Sequence, residues 1–196
     1  MNSIIEIKDV SKAFGGVIAN QSISINVAEG GITGLIGPNG SGKTTLFNSI
    51  VGHHPIDSGS IKFEGAEIST FKVQQIARLG LLRTFQQTRI YSKMNCVQNM
   101  LISIPHRTSG ILDMFKAHSP ETNERALELL EFVGLFSKRN LIAGDLSFGQ
   151  QKLLEFAMAL MNEPKVLLLD EPTAGINPTL INGLIDRLKM ANEQFG

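Results

Sequence analysis

Apolar and polar residues alternate over residues 4 to 10 and again over 22 to 27, where Ile23, Ile25 and Val27 share one face. This period of two predicts half-buried antiparallel strands, with Gly15-Gly16 and Gly30-Gly31 as their bounding turns. Ile32 to Ile36 predicts a short strand entering a glycine-rich turn, and Leu46, Phe47, Ile50 and Val51 then share one face of a helix over residues 43 to 51. Residues 60 to 68 predict a small strand and turn about Gly65, residues 72 to 79 a short helix, and Leu81 to Phe85 another strand.

From about residue 95 to residue 162 the period becomes helical. Ser119 caps a helix with Pro120 at its first position; Ala126, Leu127, Leu130 and Val133 face inward, and Gly134 ends it. Ser147 caps a second helix with Leu153, Leu154, Ala157, Leu160 and Met161 on its apolar face and Pro164 beyond its end. Val166 to Leu169 predicts a parallel strand covered on both faces and ending at Asp170-Glu171. A last helix follows Asn177-Pro178. The pattern is that of an α/β chain with a helical insertion, and its 196 residues suit one main domain.

Charge narrows the function classes. Lys plus Arg and Asp plus Glu both number 18, and the basic pair Lys138-Arg139 is the longest such run, which argues against a charge-driven nucleic-acid binder. Cys96 is the single cysteine, so an intrachain disulfide is excluded and a reducing compartment is expected. No stretch approaches a membrane span and the N-terminus lacks a signal pattern, so the chain is expected to be soluble and not exported.

Gly37-Pro38-Asn39-Gly40-Ser41-Gly42-Lys43-Thr44 matches G-x-x-x-x-G-K-[ST] between a predicted strand and a predicted helix. Glycines let successive N–H groups curl around phosphate oxygens, the helix N-terminus favours the negative charge, Lys43 reaches the outer phosphates and the Thr44 hydroxyl ligates magnesium. Asp170 would hold the magnesium through water, and Glu171 would orient and deprotonate the attacking water. Leu146-Ser147-Phe148-Gly149-Gln150-Gln151 opens a helix whose N-terminus can receive an anion, although local physics alone favours a capped core helix.

The order of the phosphate loop, Arg83-Thr84-Phe85-Gln86, Leu146 to Gln151, and then Leu167-Leu168-Leu169-Asp170-Glu171-Pro172 resembles the nucleotide-binding subunit of ABC transporters over nearly the whole chain. The resemblance implies a P-loop NTPase core with a parallel sheet, an N-terminal antiparallel β subdomain and a helical insertion. Residues 1–86 and 163–196 would form the nucleotide-binding core, and residues 87–162 the Q-loop and helical subdomain.

It also implies ATP and Mg²⁺ as cofactors, held by the Walker A residues Gly37, Pro38, Asn39, Gly40, Ser41, Gly42, Lys43, Thr44 and Thr45. Phe14 would stack on adenine, and Ser147, Gly149 and Gln150 would form the signature. Glu171, Lys43 and the Q-loop Gln86 would be catalytic, with Thr44, Gln86 and Asp170 on the metal. Ala174-Gly175-Ile176-Asn177 looks like the D-loop on a dimer seam.

The implied partners are integral membrane permease subunits and a second ATP-binding subunit, identical or related, without nucleic acid, at the inner, cytoplasmic face of the cell membrane. The wording Leu-Ser-x-Gly-Gln-Gln-Lys-Leu-Leu-Glu, Ala-Gly-Ile-Asn-Pro and Arg-Thr-Phe-Gln-Gln is most similar to the ATPases of branched-chain amino-acid importers. ATPases for urea uptake or lipopolysaccharide export, and soluble ABC ATPases, are the alternatives. A small P-loop kinase lacks the signature.

Three departures carry expectations. Phe148 replaces the usual first signature glycine and is expected to pack toward the helical insertion; Met158 stands where relatives show arginine; and the family's switch histidine lies beyond Gly196. By chain order none of His53, His54, His106 and His118 is that histidine, so this chain is expected to bind Mg-ATP and hydrolyse it poorly. Of the methionines in and beside the insertion, Met158 and Met161 read as core filler, whereas Ile90, Tyr91 and Met94 are candidate docking residues.

Overall fold

The computed structural model describes residues 3–84, 90–104, 119–172 and 178–195. The chain divides into two compact units, residues 1–83 with 191–196, and residues 84–190.

In the first unit, alternation builds a four-stranded antiparallel sheet. Strands β1 (Ser3–Phe14) and β2 (Val17–Ala28) form a long hairpin; β3 (Ser58–Phe63) pairs with the other edge of β1, and β4 (Ala66–Glu67) closes the order β2-β1-β3-β4. Ile5 lies opposite Val27 on one side and Phe63 on the other, and Ile7 opposite Ile25 and Ile61. Ile5, Ile7, Val10, Ile61 and Phe63 are buried, whereas Ile23, Ile25 and Val27 on the edge strand are half-buried, as alternation predicts.

Helix α1 (Lys43–Ile50) buries Leu46 and Ile50, and α2 (Val73–Arg78) buries Ile76 before strand β5 (Leu81–Arg83). Arg83 donates to the Asn48 side chain, and its guanidinium lies 5.9 Å from the Phe47 ring centroid, tying the end of β5 to α1.

The predicted strand Ile32 to Ile36 does not form. Residues 31–38 carry no regular structure and are exposed, Ile36 at 95%. Strand formation needs a neighbour for its N–H and C=O groups, and Gly30, Gly31, Gly34 and Gly37 raise the entropic cost of extending the segment.

Among its described residues the second unit is helical except for strand β6 (Val166–Leu168) and an isolated antiparallel bridge between Asn95 and Ile142. Helices α3 (Cys96–Ile102), α4 (Pro120–Phe132) and α5 (Phe148–Leu160) pack around Met100, Ala126, Leu129, Leu130, Leu154 and Ala157. Ser119 accepts from the Thr122 N–H at the start of α4. Gly134 takes φ +76° after its end while the Leu135 N–H reaches back to the Leu130 carbonyl at 2.7 Å, a left-handed C-cap.

Helix α6 (Pro178–Phe195) follows, and its Arg187 donates to the Phe132 carbonyl at 3.2 Å. A Cβ on Gly134 would stand 2.8 Å from the same guanidinium, the far end of a flexible side chain that can give way, so it is the positive φ that calls for glycine there.

Two local expectations change. Val166, Leu167 and Leu168 are half-buried, less covered than the predicted two-sided strand. Leu153 is only half-buried on α5, whereas Lys152 and Glu155 are buried, their charges paired at 3.5 Å so that neither is buried alone. Met158, which stands where relatives show arginine, is buried as core filler should be; its carbonyl accepts from Ser103 Oγ and Asn162 Nδ2, both at 3.2 Å. Met161 is buried too, Tyr91 is exposed, and Ile90 and Met94 are half-buried.

Candidate functional site

The loop of residues 37–44 leads into α1 through Gly42, the N-cap, at φ +87°. A left-handed N-cap at this place admits little but glycine, since a Cβ would stand 2.2 Å from the Ala19 carbonyl oxygen and 2.5 Å from Asn20 Nδ2. Asn20, buried on β2, donates to the Gly42 carbonyl at 3.2 Å and so fixes the loop's exit to the sheet. Sequence reading missed this residue because the contact spans 22 positions.

Gly40 is also left-handed at φ +81°, and the Ser41 N–H closes a turn onto the Pro38 carbonyl at 3.2 Å. Glycine at the cap brings no side-chain oxygen to the first N–H groups of α1, and no acidic residue stands in the first turn. The positive end of the helix dipole therefore faces the exposed loop, which is the electrostatics an anion requires. Lys43 Nζ donates to the carbonyls of Gly37 at 2.7 Å and Pro38 at 2.8 Å, folded onto the rim of its own loop.

Phe14 ends β1 and is 43% exposed. Its ring meets His54 edge to face, with centroids 5.2 Å apart and planes at 77°, and Lys12 Nζ lies 5.3 Å from its centroid. Lys12 is itself held by Asp57 at 2.8 Å, and the second Asp57 oxygen accepts from the Ala13 N–H at 2.7 Å.

The hydrogen bond from Lys12, backed by the one from Ala13, holds the Asp57 carboxyl below its ordinary 3.8. A carboxylate whose pKa is lowered by folding contributes stability that is complete above the unfolded value and lost as pH falls through the folded one. Asp57→Asn is therefore expected to lower the urea midpoint at pH 6. The difference from the parent should shrink as pH falls below 3.8, and midpoints equally far apart at every pH would contradict the tie.

In the second unit, Ser147 caps α5 through a reciprocal box. Its Oγ accepts from the Gln150 N–H at 3.4 Å, while Gln150 Oε1 accepts from the Ser147 N–H at 3.1 Å. The serine hydroxyl proton stays available to a ligand, and Gly149 lies buried in the first turn, which has no acidic residue. Phe148 does not pack into the insertion as expected: it is 47% exposed, with Lys152 Nζ 5.8 Å from its ring centroid. As the first residue of the helix it projects outward because Gly149 and Leu154 take the inward face.

Asp170 is buried just beyond β6, whereas Glu171 is exposed and takes φ +48°. A left-handed glutamate is uncommon, and strain of this kind concentrates where a side chain must be aimed. Asp170 lines a shallow pocket with Thr84, Lys152, Glu155 and Leu188, and the Thr84 N–H donates to the Leu168 carbonyl at 3.0 Å. The buried Lys152–Glu155 pair is the second feature missed from the sequence, where a helical stripe counts only apolar positions. Asn99 is a third: fully buried, it accepts from the Tyr91 N–H at 2.7 Å and donates to three carbonyls, shaping the turn of residues 91–95.

Gln86 and Ala174 to Asn177 lie outside the described residues. Residues 37–45 and Phe14 thus fall in the first unit, and Ser147, Gly149, Gln150, Asp170 and Glu171 in the second. Among the described residues no group of three or more His, Cys, Asp or Glu could hold a metal. Thr44 and Asp170, taken each by itself, offer an oxygen donor of the hard kind that Mg²⁺ prefers.

The family model described as ABC transporter matches residues 20–174. The branched-chain amino acid transport ATP-binding protein BraF of Pseudomonas aeruginosa is 39% identical over 183 residues, 89% of this chain and 71% of the relative. The probable branched-chain amino acid transport ATP-binding protein LivG of Archaeoglobus fulgidus is 40% identical over 191 residues, 94% of this chain and 73% of the relative. Among solved structures, an ATP-binding cassette of an ABC transporter in its ADP conformation superposes with a TM-score of 0.88 at 35% identity, covering 99% of this chain and 78% of that one. A nucleotide-free cassette gives a TM-score of 0.87 at 33% identity, covering 98% and 78%.

Proposed function

Since this chain belongs to the ABC transporter family and has the P-loop NTPase fold of its ATP-binding cassettes, we propose that it drives branched-chain amino-acid uptake by binding and hydrolysing Mg-ATP between two copies. The observation that carries the nucleotide reading is the loop of residues 37–44, with its left-handed Gly42 and a helix N-terminus free of acidic residues.

Lys43 exchanges the Gly37 and Pro38 carbonyls for the outer phosphate oxygens, while N–H groups at the start of α1 hold the inner ones. By the roles the resemblance gives them, Thr44, Gln86 and Asp170 would hold Mg²⁺, which when bound supplies neutralising charge on the phosphates. Glu171 takes the proton of a water whose oxygen bonds to the γ-phosphorus as the bond to the departing ADP oxygen breaks. Ser147 and Gly149 of the second copy donate to the γ-phosphate from the far side, and Gln150 holds that serine through the capping box. ATP therefore joins the two copies and its cleavage releases them. Phe14 stacks on adenine.

No helix among the described residues is long and apolar enough to cross a membrane. In this reading the chain sits at the inner face by docking on permease subunits, its residues Ile90, Tyr91 and Met94 beside that contact. The solute assignment follows the names of the relatives. Vesicles carrying the membrane subunits of a branched-chain amino-acid importer should sediment the chain, and vesicles carrying those of a urea importer should not. Equal sedimentation with both would overturn the solute.

A further inference from the structure

The ring of Phe14 stands at the mouth of a two-glycine hairpin turn, Gly15-Gly16, and is 43% exposed. A phenyl group in that setting has no hydroxyl to anchor it, and fixing its rotamer on ligand binding costs affinity unless neighbours hold it beforehand. Two neighbours do. Lys12, buried and tied to Asp57, presents its ammonium 5.3 Å from the ring centroid, and His54 meets the ring edge to face at 5.2 Å.

The placement of His54 is dictated from two sides. It precedes Pro55, which restricts it to extended backbone. The N–H groups of His53 and His54 both donate to the Asn48 carbonyl, at 2.8 and 3.3 Å, and Asn48 is in the last turn of α1. The helix that carries Lys43 and Thr44 at its N-terminus therefore fixes, at its C-terminus, the imidazole that touches Phe14.

We infer that His54 is a positioning residue for nucleotide base recognition: it sets the Phe14 ring in register with the phosphate loop, so that a purine and its phosphates are met at a fixed spacing. The inference rests on the reading of Phe14 as the adenine platform. Lys12, pinned by Asp57, restrains the same ring, and the pair replaces the anchoring that a tyrosine hydroxyl would give.

The test compares ATP with inorganic tripolyphosphate, which has the phosphates and no base, by calorimetric titration of the full chain. His54→Ala should weaken ATP by about 2- to 10-fold, the range for losing one aromatic pair, and leave tripolyphosphate unchanged. His54→Phe, which keeps a ring edge, should restore ATP affinity.

An unchanged ATP affinity in His54→Ala, an equal loss for ATP and tripolyphosphate, or no rescue by His54→Phe would each overturn the positioning role. Phe14→Ala separates the two levels. If it binds ATP as the parent does, the platform reading itself fails; if it binds ATP weakly while His54→Ala does not, the role of His54 alone fails.

Discussion

Glu171→Gln is expected to lower single-turnover ATP hydrolysis by about 10²- to 10⁴-fold while ATP binding persists, the usual loss when a positioned general base is removed. Glutamine keeps the size of the side chain and its hydrogen-bonding reach but cannot take a proton from water. Backbone strain does not confuse the comparison, because Glu171 is exposed at φ +48° and glutamine meets the same left-handed cost. Asp170 is a different case. Buried at the same turn, it is expected to lose metal-dependent nucleotide binding on change to asparagine, so the two neighbouring carboxylates separate by which measurement moves. Turnover of Glu171→Gln equal to the parent's, measured by phosphate release with enzyme in excess, would remove Glu171 from the chemistry.

Gly42→Ala should abolish measurable ATP binding and cost about 3 kcal/mol or more of stability, since a left-handed conformation and a backbone clash act together. The methyl group would lie 2.2 Å from the Ala19 carbonyl oxygen and 2.5 Å from Asn20 Nδ2. Relief requires either β2 to move or the first turn of α1 to unwind, and the Asn20 bond to the Gly42 carbonyl breaks in both cases.

Gly40→Ala isolates the conformational part. Gly40 shares the positive φ, at +81°, but a Cβ there meets nothing within 4 Å, so its cost should be only about 1–2 kcal/mol. Urea unfolding and ATP titration of both variants check the pair. A Gly42→Ala protein that binds ATP like the parent would contradict the loop geometry.

Much of this was legible because it is local. Ser119 and Ser147 are caps whose partners lie three residues on, Gly134 is the left-handed residue after α4, and Gly42 falls where the phosphate-loop spacing puts it. The order of the motifs carried the fold class, which the superposition on ATP-binding cassettes supports independently.

Contacts between distant residues were not legible. Asn20 under Gly42 and Arg187 at the end of α4 join positions 22 and 55 apart, and no periodicity reports them. The burial of Lys152 with Glu155 ran against the apolar stripe, which placed Leu153 inward, because a matched pair can enter a core that either charge alone could not. Ile32 to Ile36 has a strand's composition, yet composition cannot say whether a partner strand is present.

Whether ATP joins two copies of this chain is tested most directly by light scattering of Glu171→Gln with and without Mg-ATP, alongside ATP binding. Blocking the base should trap the nucleotide-bound pair, so the mass is expected to double from 21.3 kDa when Mg-ATP is added. ATP binding with the mass unchanged would contradict a site shared between Lys43 and Glu171 of one copy and Ser147 and Gly149 of the other.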